Sequence, residues 1–432
     1  MKFSFKKSFS NLSLSPTLAS NELVSAKRAR GEKVFHLGFG QSPFPVPARL
    51  KQALSEASGR NEYLPTCGLP ELCAAAKSYY AKKLSLKEEE YDCLVAPGSK
   101  LILYSVQMAV EGDLLMPVPS WVSYAPQARM LNSDVIFVPT KLDDYGYHIN
   151  CTELRETIYR SRKEGKNPTK IILNYPNNPT GLTIPNRELE AIANVCIEEN
   201  ILILSDEIYG LTDYNFQYRS ISTFAPQNTV ISTGLSKHLS LGGWRLGVGF
   251  IPKSIPRLNN VLNQIASETW SCTPAPIQKA AVEAYLGHED IEKHISNCTS
   301  VHSLVSRWFS KKIVEIGIDC PQAQGAFYVY PNFEKFRPQL NKKGIKTSTE
   351  LSDFLLRELN IATLPGIEFG ETEDKLTLRM AMCDYDGAKA LEGYRNNPNI
   401  DPDLFVKTYA PNIYEVVERL SVMKQSWVFQ PN

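Results

Sequence analysis

The sequence predicts an α/β protein: a mostly parallel sheet sandwiched by helices, followed by a smaller α+β domain. Three observations lead there. Between about residues 46 and 300, helical patterns at 46–58, 69–83 and 99–111 interleave with extended ones at 113–117, 134–138, 171–174, 201–205, 229–233 and 246–251. Runs such as Ile201-Leu202-Ile203-Leu204 are apolar on both faces, as strands covered by helices on each side must be. Small, polar, glycine-bearing turns follow these runs, at the carboxyl ends where ligands gather in parallel sheets.

Composition narrows the function classes. With 432 residues, 43% of them apolar and 22% charged, the chain is long enough for two domains with a substantial core. A formal net charge of +1 gives no field for a nucleic-acid partner, and no basic patch interleaved with aromatics occurs. Nine cysteines without CxxC pairing fit reduced thiols better than a disulfide framework or a zinc site. The first residues lack the apolar core of a signal peptide, and no window approaches a membrane span. A soluble, cytoplasmic protein is expected.

Taken in order, residues 1–30 read as an arm and a helix over 20–30, capped near Ser20 and Asn21 and ended by Gly31. A short strand, Val34 to Leu37, leads into the Gly/Pro-rich crossing Gly38-Phe39-Gly40-Gln41-Ser42-Pro43, suited to a domain border. After the alternating region come a helical stretch, a strand over 325–330, a helix near 348–359 and strands at 361–364 and 376–380. Residues 386–412, with Gly387, Pro398, Pro402 and Pro411, read as an inserted loop before a last helix over about 413–425.

Four strand ends carry chemistry-bearing residues. The strand at 229–233 runs into Gly234-Leu235-Ser236-Lys237, with Arg245 eight positions on among glycines. A lysine desolvated there has a lowered pKa and can bond a carbonyl carbon, and an arginine offers phosphate a bidentate donor. The strand at 171–174 ends in a loop that two prolines and Gly181 make rigid around Asn178, whose side chain can hold a ring hydroxyl. The strand at 201–205 ends in Asp206-Glu207-Ile208-Tyr209. A buried aspartate there is either a helix N-cap or the partner of a cation such as a pyridinium. Gly98-Ser99-Lys100 opens an apolar helix whose free amides form a phosphate site, and Trp121 can stack on a flat ring or sit in the core.

Together, the Asn-x-Pro-x-Asn-Pro-Thr-Gly loop, Asp-x-x-Tyr and Ser-Lys-x7-Arg resemble the fold type I, class I/II aminotransferases that depend on pyridoxal 5'-phosphate (PLP), over about residues 15 to 385. Local wording is most like the aspartate/prephenate branch. The resemblance implies the fold of a type I PLP-dependent transferase with an arm and part of the small domain at 1–45, a PLP-binding domain at 46–300 and a C-terminal small domain at 301–432. It implies that Lys237 bonds the cofactor and shuttles the substrate's α-proton, Asp206 keeps the pyridine nitrogen protonated, and Asn178 and Tyr209 hold the ring's phenolic oxygen. Arg245, Ser236 or Thr233, and the amides of Gly98, Ser99 and Lys100 would bind phosphate, and Trp121 would cover the ring. Arg379, in Leu376-Thr377-Leu378-Arg379, would clamp the substrate carboxylate with help from the Gly40 backbone. Tyr63 would reach the neighbouring subunit's phosphate, so a homodimer with shared sites is implied. Lys100 is either a solvated first-turn residue or a contact for a distal carboxylate, and Phe39, Phe44 and Tyr124 would equally suit an aromatic substrate. The expected reaction is transfer of an amino group from an L-amino acid to a 2-oxo acid. A C–S β-lyase of the same fold is the alternative, and a PLP-binding regulator a more remote one.

Overall fold

A seven-stranded sheet organises the chain in the computed structural model, which describes residues 3–9, 12–143 and 146–428. Met1, Lys2, Ser10 and Asn11 of the expected arm lie outside the described residues. The strand order is Tyr91–Ala96, Gly247–Pro252, Thr229–Gly234, Leu202–Asp206, Pro168–Asn174, Asp113–Pro117, Val135–Val138. Gly247–Pro252 runs antiparallel to both its neighbours, and the remaining pairings are parallel.

Alternation along these strands feeds two cores. Ile171, Leu173, Ile201 and Ile203 pack with the helices Cys151–Lys163 and Asn186–Glu198 on one face. Leu114, Ile172, Leu204 and Val230 pack with Ser99–Ala109 and Leu258–Thr269 on the other. Each such side chain, fully buried, contributes roughly 1.5–3 kcal/mol, which is why the strands read as continuous apolar runs.

The smaller unit gathers both ends of the chain. Phe35–His36 pairs in parallel with Ile361–Ala362, and Tyr328–Val329, Leu378–Ala381 and Leu364–Pro365 form an antiparallel sheet. Phe35, Val305, Phe309, Leu355, Leu378, Phe405 and Leu420 share one core there. Helix Glu289–Glu315 runs unbroken across residue 300, so no chain break marks a boundary at that point.

Several expectations are corrected. The first helix spans Pro16–Ala29 behind Ser15, one turn earlier than read, because Pro16 stands in its first turn, where a missing N–H costs nothing. Residues 386–412 are not a loop. They form helices Gly387–Asn396 and Pro402–Tyr409, N-capped by the side chains of Asp386 and Asp401. The glycine and proline there are start signals beside capping aspartates rather than breakers. The strand over 325–330 contracts to Tyr328–Val329. Strand Tyr91–Ala96 and the hairpin of Thr140–Asp143 with Gly146–Ile149 were not foreseen. No helix of the described residues is long and apolar enough to cross a membrane.

Candidate active site

The carboxyl ends of the parallel strands converge on one cavity. Asn174 and Asp206 are register partners at the last positions of adjacent strands. The Asn174 side chain locks the following loop, donating to the Asp206 carbonyl at 2.8 Å and accepting the Asn178 amide at 2.8 Å. Asn178 is thereby held at the cavity wall. The cavity, of about 550 Å³, is lined by Gly40, Ser99, Lys100, Trp121, Asn178, Asp206, Tyr209, Ser236, Lys237, Arg245 and Arg379. Eleven residues chosen from seven separate stretches of sequence thus meet in one place. A neighbouring cavity of about 750 Å³ shares Lys100, Trp121 and Arg245 but reaches neither Asp206 nor Lys237.

Asp206 sets the electrostatics of the inner end. It is buried, and its Oδ2 accepts a hydrogen bond from Tyr124 at 2.7 Å, while its Oδ1 is buried with no partner. Burial pushes its pKa up to about 6, against the lowering effect of Tyr124 and of Lys237. Nothing about this aspartate is a helix cap: no helix of the described residues starts behind it, and the short 3-10 turn that follows begins at Gly210. An unsatisfied carboxylate oxygen at the base of a cavity costs about 1–3 kcal/mol or more unless a donor fills the space.

Lys237 lies just past the strand Thr229–Gly234. Burial lowers its pKa to about 8. Its ammonium donates to the Gly40 carbonyl at 3.0 Å and sits over the rings of Phe327 at 5.4 Å and Tyr209 at 5.5 Å. The Gly40 backbone thus meets the lysine directly. Arg379 instead donates to the Gly38 carbonyl at 2.5 Å and to Asn178 Oδ1 at 3.3 Å. Arg379 is fully buried, its Nε has no partner, and Tyr328 and Phe369 stack beside its guanidinium. Gly40 has to be glycine, since a Cβ there would collide with the Tyr328 ring.

The outer end is cationic. Gly98, at φ +91°, opens helix Ser99–Ala109. A Cβ on Gly98 would strike the Arg245 guanidinium, so glycine lets the arginine lie against the helix start. Arg245 takes a left-handed backbone and donates only to the carbonyls of Gly242 and Pro97. Among the described residues neither Arg245 nor Arg379 has a carboxylate within salt-bridge distance. Lys100 Nζ stands 4.9 Å from the Trp121 ring, its pKa lowered by burial and by Arg245. Two cations without a carboxylate partner lining one cavity suit a ligand with two anionic groups.

Two placements, those of Thr233 and Phe44, depart from the sequence reading. Thr233 turns away from the cavity to bond the Tyr80 hydroxyl at 3.0 Å, leaving Ser236 as the hydroxyl at the wall. Tyr63 is 90% exposed and lies outside the cavity. Phe44 is buried away from the cavity against His302. Two residues were missed in their roles: Tyr124 as the donor to Asp206, and Tyr328, whose hydroxyl meets that of Tyr209 at 2.9 Å. Neither position stands in a motif that sequence spacing marks as polar or chemical. Among the described residues no group of three or more His, Cys, Asp or Glu side chains is arranged to hold a metal.

The family model for aminotransferase class I and II matches residues 32–391, most of the chain and every residue of the cavity wall except the N-terminal Ser15, Thr17 and Leu18. The chain belongs to this aminotransferase family. An asparagine–oxo-acid transaminase of Streptococcus mutans is 32% identical over 376 residues, covering 83% of this chain and 90% of that protein. An aspartate aminotransferase of Geobacillus stearothermophilus is 31% identical, covering 85% and 92%. The fold is that of the Thermus thermophilus aspartate aminotransferase solved with maleate, at a TM-score of 0.81 and 23% identity over 97% of this chain and 99% of that one. Lys237 and Asp206 line the same cavity. Burial moves both toward neutrality, the lysine downward and the aspartate upward.

Proposed function

We propose that this aminotransferase works with pyridoxal 5'-phosphate in the 550 Å³ cavity, moving the amino group of an L-amino acid of aspartate, glutamate or aromatic type to a 2-oxo acid such as 2-oxoglutarate. The observation that carries the reading is the unpartnered, buried Asp206 Oδ1 in the same cavity as a desolvated Lys237. A protonated ring nitrogen satisfies the first, and an aldehyde carbon suits the second. The amides at Ser99 and Lys100, with Ser236 and Arg245, fit a phosphate. The residues present therefore fit the cofactor.

When bound, the cofactor supplies a carbonyl carbon for the amino group and an electron-withdrawing ring that accepts the pair left on the substrate α-carbon. Asp206 holds the ring proton, aided by Tyr124, which fixes the carboxylate's orientation. Asn178 and Tyr209 would hold the cofactor's phenolic oxygen, and Trp121 would pack against the ring and exclude water. Arg379 takes the α-carboxylate bidentately, its free Nε and its nearby Nη groups presenting a planar fork. With its pKa near 8, Lys237 has a neutral fraction at physiological pH and accepts the α-proton at Nζ. Lys100 lines the same cavity beside Trp121, and a distal carboxylate held there would favour aspartate or glutamate as donor.

A panel of amino acids with 2-oxoglutarate, followed by keto-acid product and by the cofactor's absorbance change, tests the substrate reading. Acidic donors are expected to give kcat/KM at least about tenfold above alanine. Pyruvate and a free thiol released from cystathionine without any oxo acid would instead favour the β-lyase alternative.

We further propose a homodimer in which Tyr63 reaches the partner's phosphate. Its exposure leaves it available for that role. Tyr63→Ala alone is expected to lose about tenfold, the worth of one charge-assisted hydrogen bond. Refolding it together with inactive Lys237→Ala protomers is expected to restore one intact site per mixed dimer. Activity no higher than the sum of the parts would show that Tyr63 acts within its own chain or not at all.

A further inference from the structure

We infer that His302 is a positioning residue that sets the Gly40 carbonyl against the Lys237 amine. The inference rests on the reading of Lys237 as the reacting group. His302 lies on the helix Glu289–Glu315, is 1% exposed, and does not line the cavity. Its ring bonds the glycine loop on one side and the segment after the Arg379 strand on the other. Nε2 is 3.2 Å from Ser42 Oγ, and Nδ1 is 3.3 Å from the Tyr385 hydroxyl. Ser42 Oγ in turn lies 2.6 Å from Ser240 Oγ.

Ser42 and Ser240 sit two and three residues from a group of the site, and Tyr385 sits six residues past Arg379. Ser42 follows Gly40, whose carbonyl accepts from Lys237 Nζ. Ser240 follows Lys237, in a left-handed backbone conformation at φ +58° that fixes the turn after the lysine. Tyr385 follows Cys383 in the segment leaving the strand that carries Arg379. The ring is clamped by Phe44 at 4.8 Å and Phe327 at 4.9 Å, and Phe327 also lies under the Lys237 ammonium.

An apolar residue would fill this space with less desolvation cost, so the imidazole is explained by its two hydrogen bonds. One nitrogen donates while the other accepts, and burial keeps the ring neutral, its pKa lowered to about 3. The neutral ring can therefore bridge a hydroxyl on each side throughout the working pH range. The chain from Tyr385 through His302 and Ser42 to Ser240 holds the glycine loop, the lysine turn and the small-unit strand in one register. A shift of that loop by a few tenths of an ångström would move the Gly40 carbonyl off the amine.

The test uses Ser42→Ala, which removes the hydroxyl without a change of packing, alongside His302→Phe and His302→Gln. In the full-length, cofactor-free protein, reductive methylation of Lys237 by formaldehyde and cyanoborohydride, read by peptide mass spectrometry against pH, reports the amine's pKa. The Gly40 carbonyl stabilises the charged amine, so both Ser42→Ala and His302→Phe are expected to lower the midpoint by about half a unit to one unit. In the holoenzyme both are expected to lower kcat about tenfold with KM little changed. His302→Gln, whose amide still reaches Ser42, is expected to keep at least half of the wild-type kcat and the wild-type midpoint. An unshifted midpoint and unchanged kcat in Ser42→Ala, or a Gln variant as impaired as the Phe variant, would overturn the inference. Should His302→Phe fail to fold, Ser42→Ala decides alone. The midpoint is read without cofactor or substrate, so it stands or falls separately from the aminotransferase chemistry.

Discussion

Lys237→Ala is expected to lose at least about 10⁴-fold in turnover with every donor, because in the proposed function one side chain serves both as the amine that bonds the cofactor and as the base that moves the α-proton. Adding methylamine to the variant is expected to recover a small part of the rate, since the pocket vacated by the side chain can admit a free amine. The same lysine is a burden to the cofactor-free fold. Its pKa falls from 10.5 to about 8, so at neutral pH the unfolded chain holds the charge more comfortably than the native one. The sign follows: the cost is full below pH 8 and fades as pH rises from about 8 to 10.5. Lys237→Met is therefore expected to stabilise the cofactor-free protein at pH 7 by up to ~3 kcal/mol, measured by urea unfolding, while abolishing activity. A variant that keeps activity would remove lysine 237 from the chemistry.

Asp206→Asn carries the second-largest effect. Asparagine retains an acceptor for the Tyr124 hydroxyl but cannot keep a ring nitrogen protonated, and kcat is expected to fall about 10²–10³-fold. Stability moves the other way. The Asp206 pKa is raised from 3.8 to about 6, so its contribution favours the fold below about pH 4 and is lost as pH rises through about 6. Above that the buried carboxylate costs ~3 kcal/mol. Cofactor-free Asp206→Asn is expected to be more stable than wild type at pH 7–8 and equal to it near pH 4. Glu207, buried on the adjoining position, has its pKa raised to about 7 by burial and in part by the Asp206 charge, so losing that charge eases its ionisation and adds to the variant's gain near neutral pH. With cofactor bound, the gap at pH 7–8 is expected to close or reverse, since a cationic partner removes the burial cost in the wild type alone. An Asn variant that is active, or less stable than wild type at pH 8, would contradict the assignment.

Much of this architecture was legible because its signals are local. Strands 171–174 and 201–205 show themselves through apolar runs that two helical layers cover, and the residues just beyond them, Asn178, Asp206 and Tyr209, inherit their place from strand direction. What escaped was set by partners far along the chain. Tyr91–Ala96 carries Asp92 in mid-strand and becomes a strand by pairing with Gly247–Pro252, some 150 residues later. Gly387 and Pro402 read as breakers until the capping bonds of Asp386 and Asp401 turn them into helix starts. Within the site, the lysine, aspartate and arginines were visible as residue types, whereas the bond from Tyr124 to Asp206 and the turn of Thr233 toward Tyr80 depend on packing that no spacing encodes.

The central claim is that the amine at position 237 and the carboxylate at 206 grip opposite ends of one cofactor. Loading the protein with pyridoxal phosphate, reducing with borohydride and mapping the tagged peptide tests it most directly. The account predicts a single tag on Lys237, with Asp206→Asn lowering the cofactor's affinity at unchanged tagging site. A tag on any other lysine, or none at saturating cofactor, would contradict it.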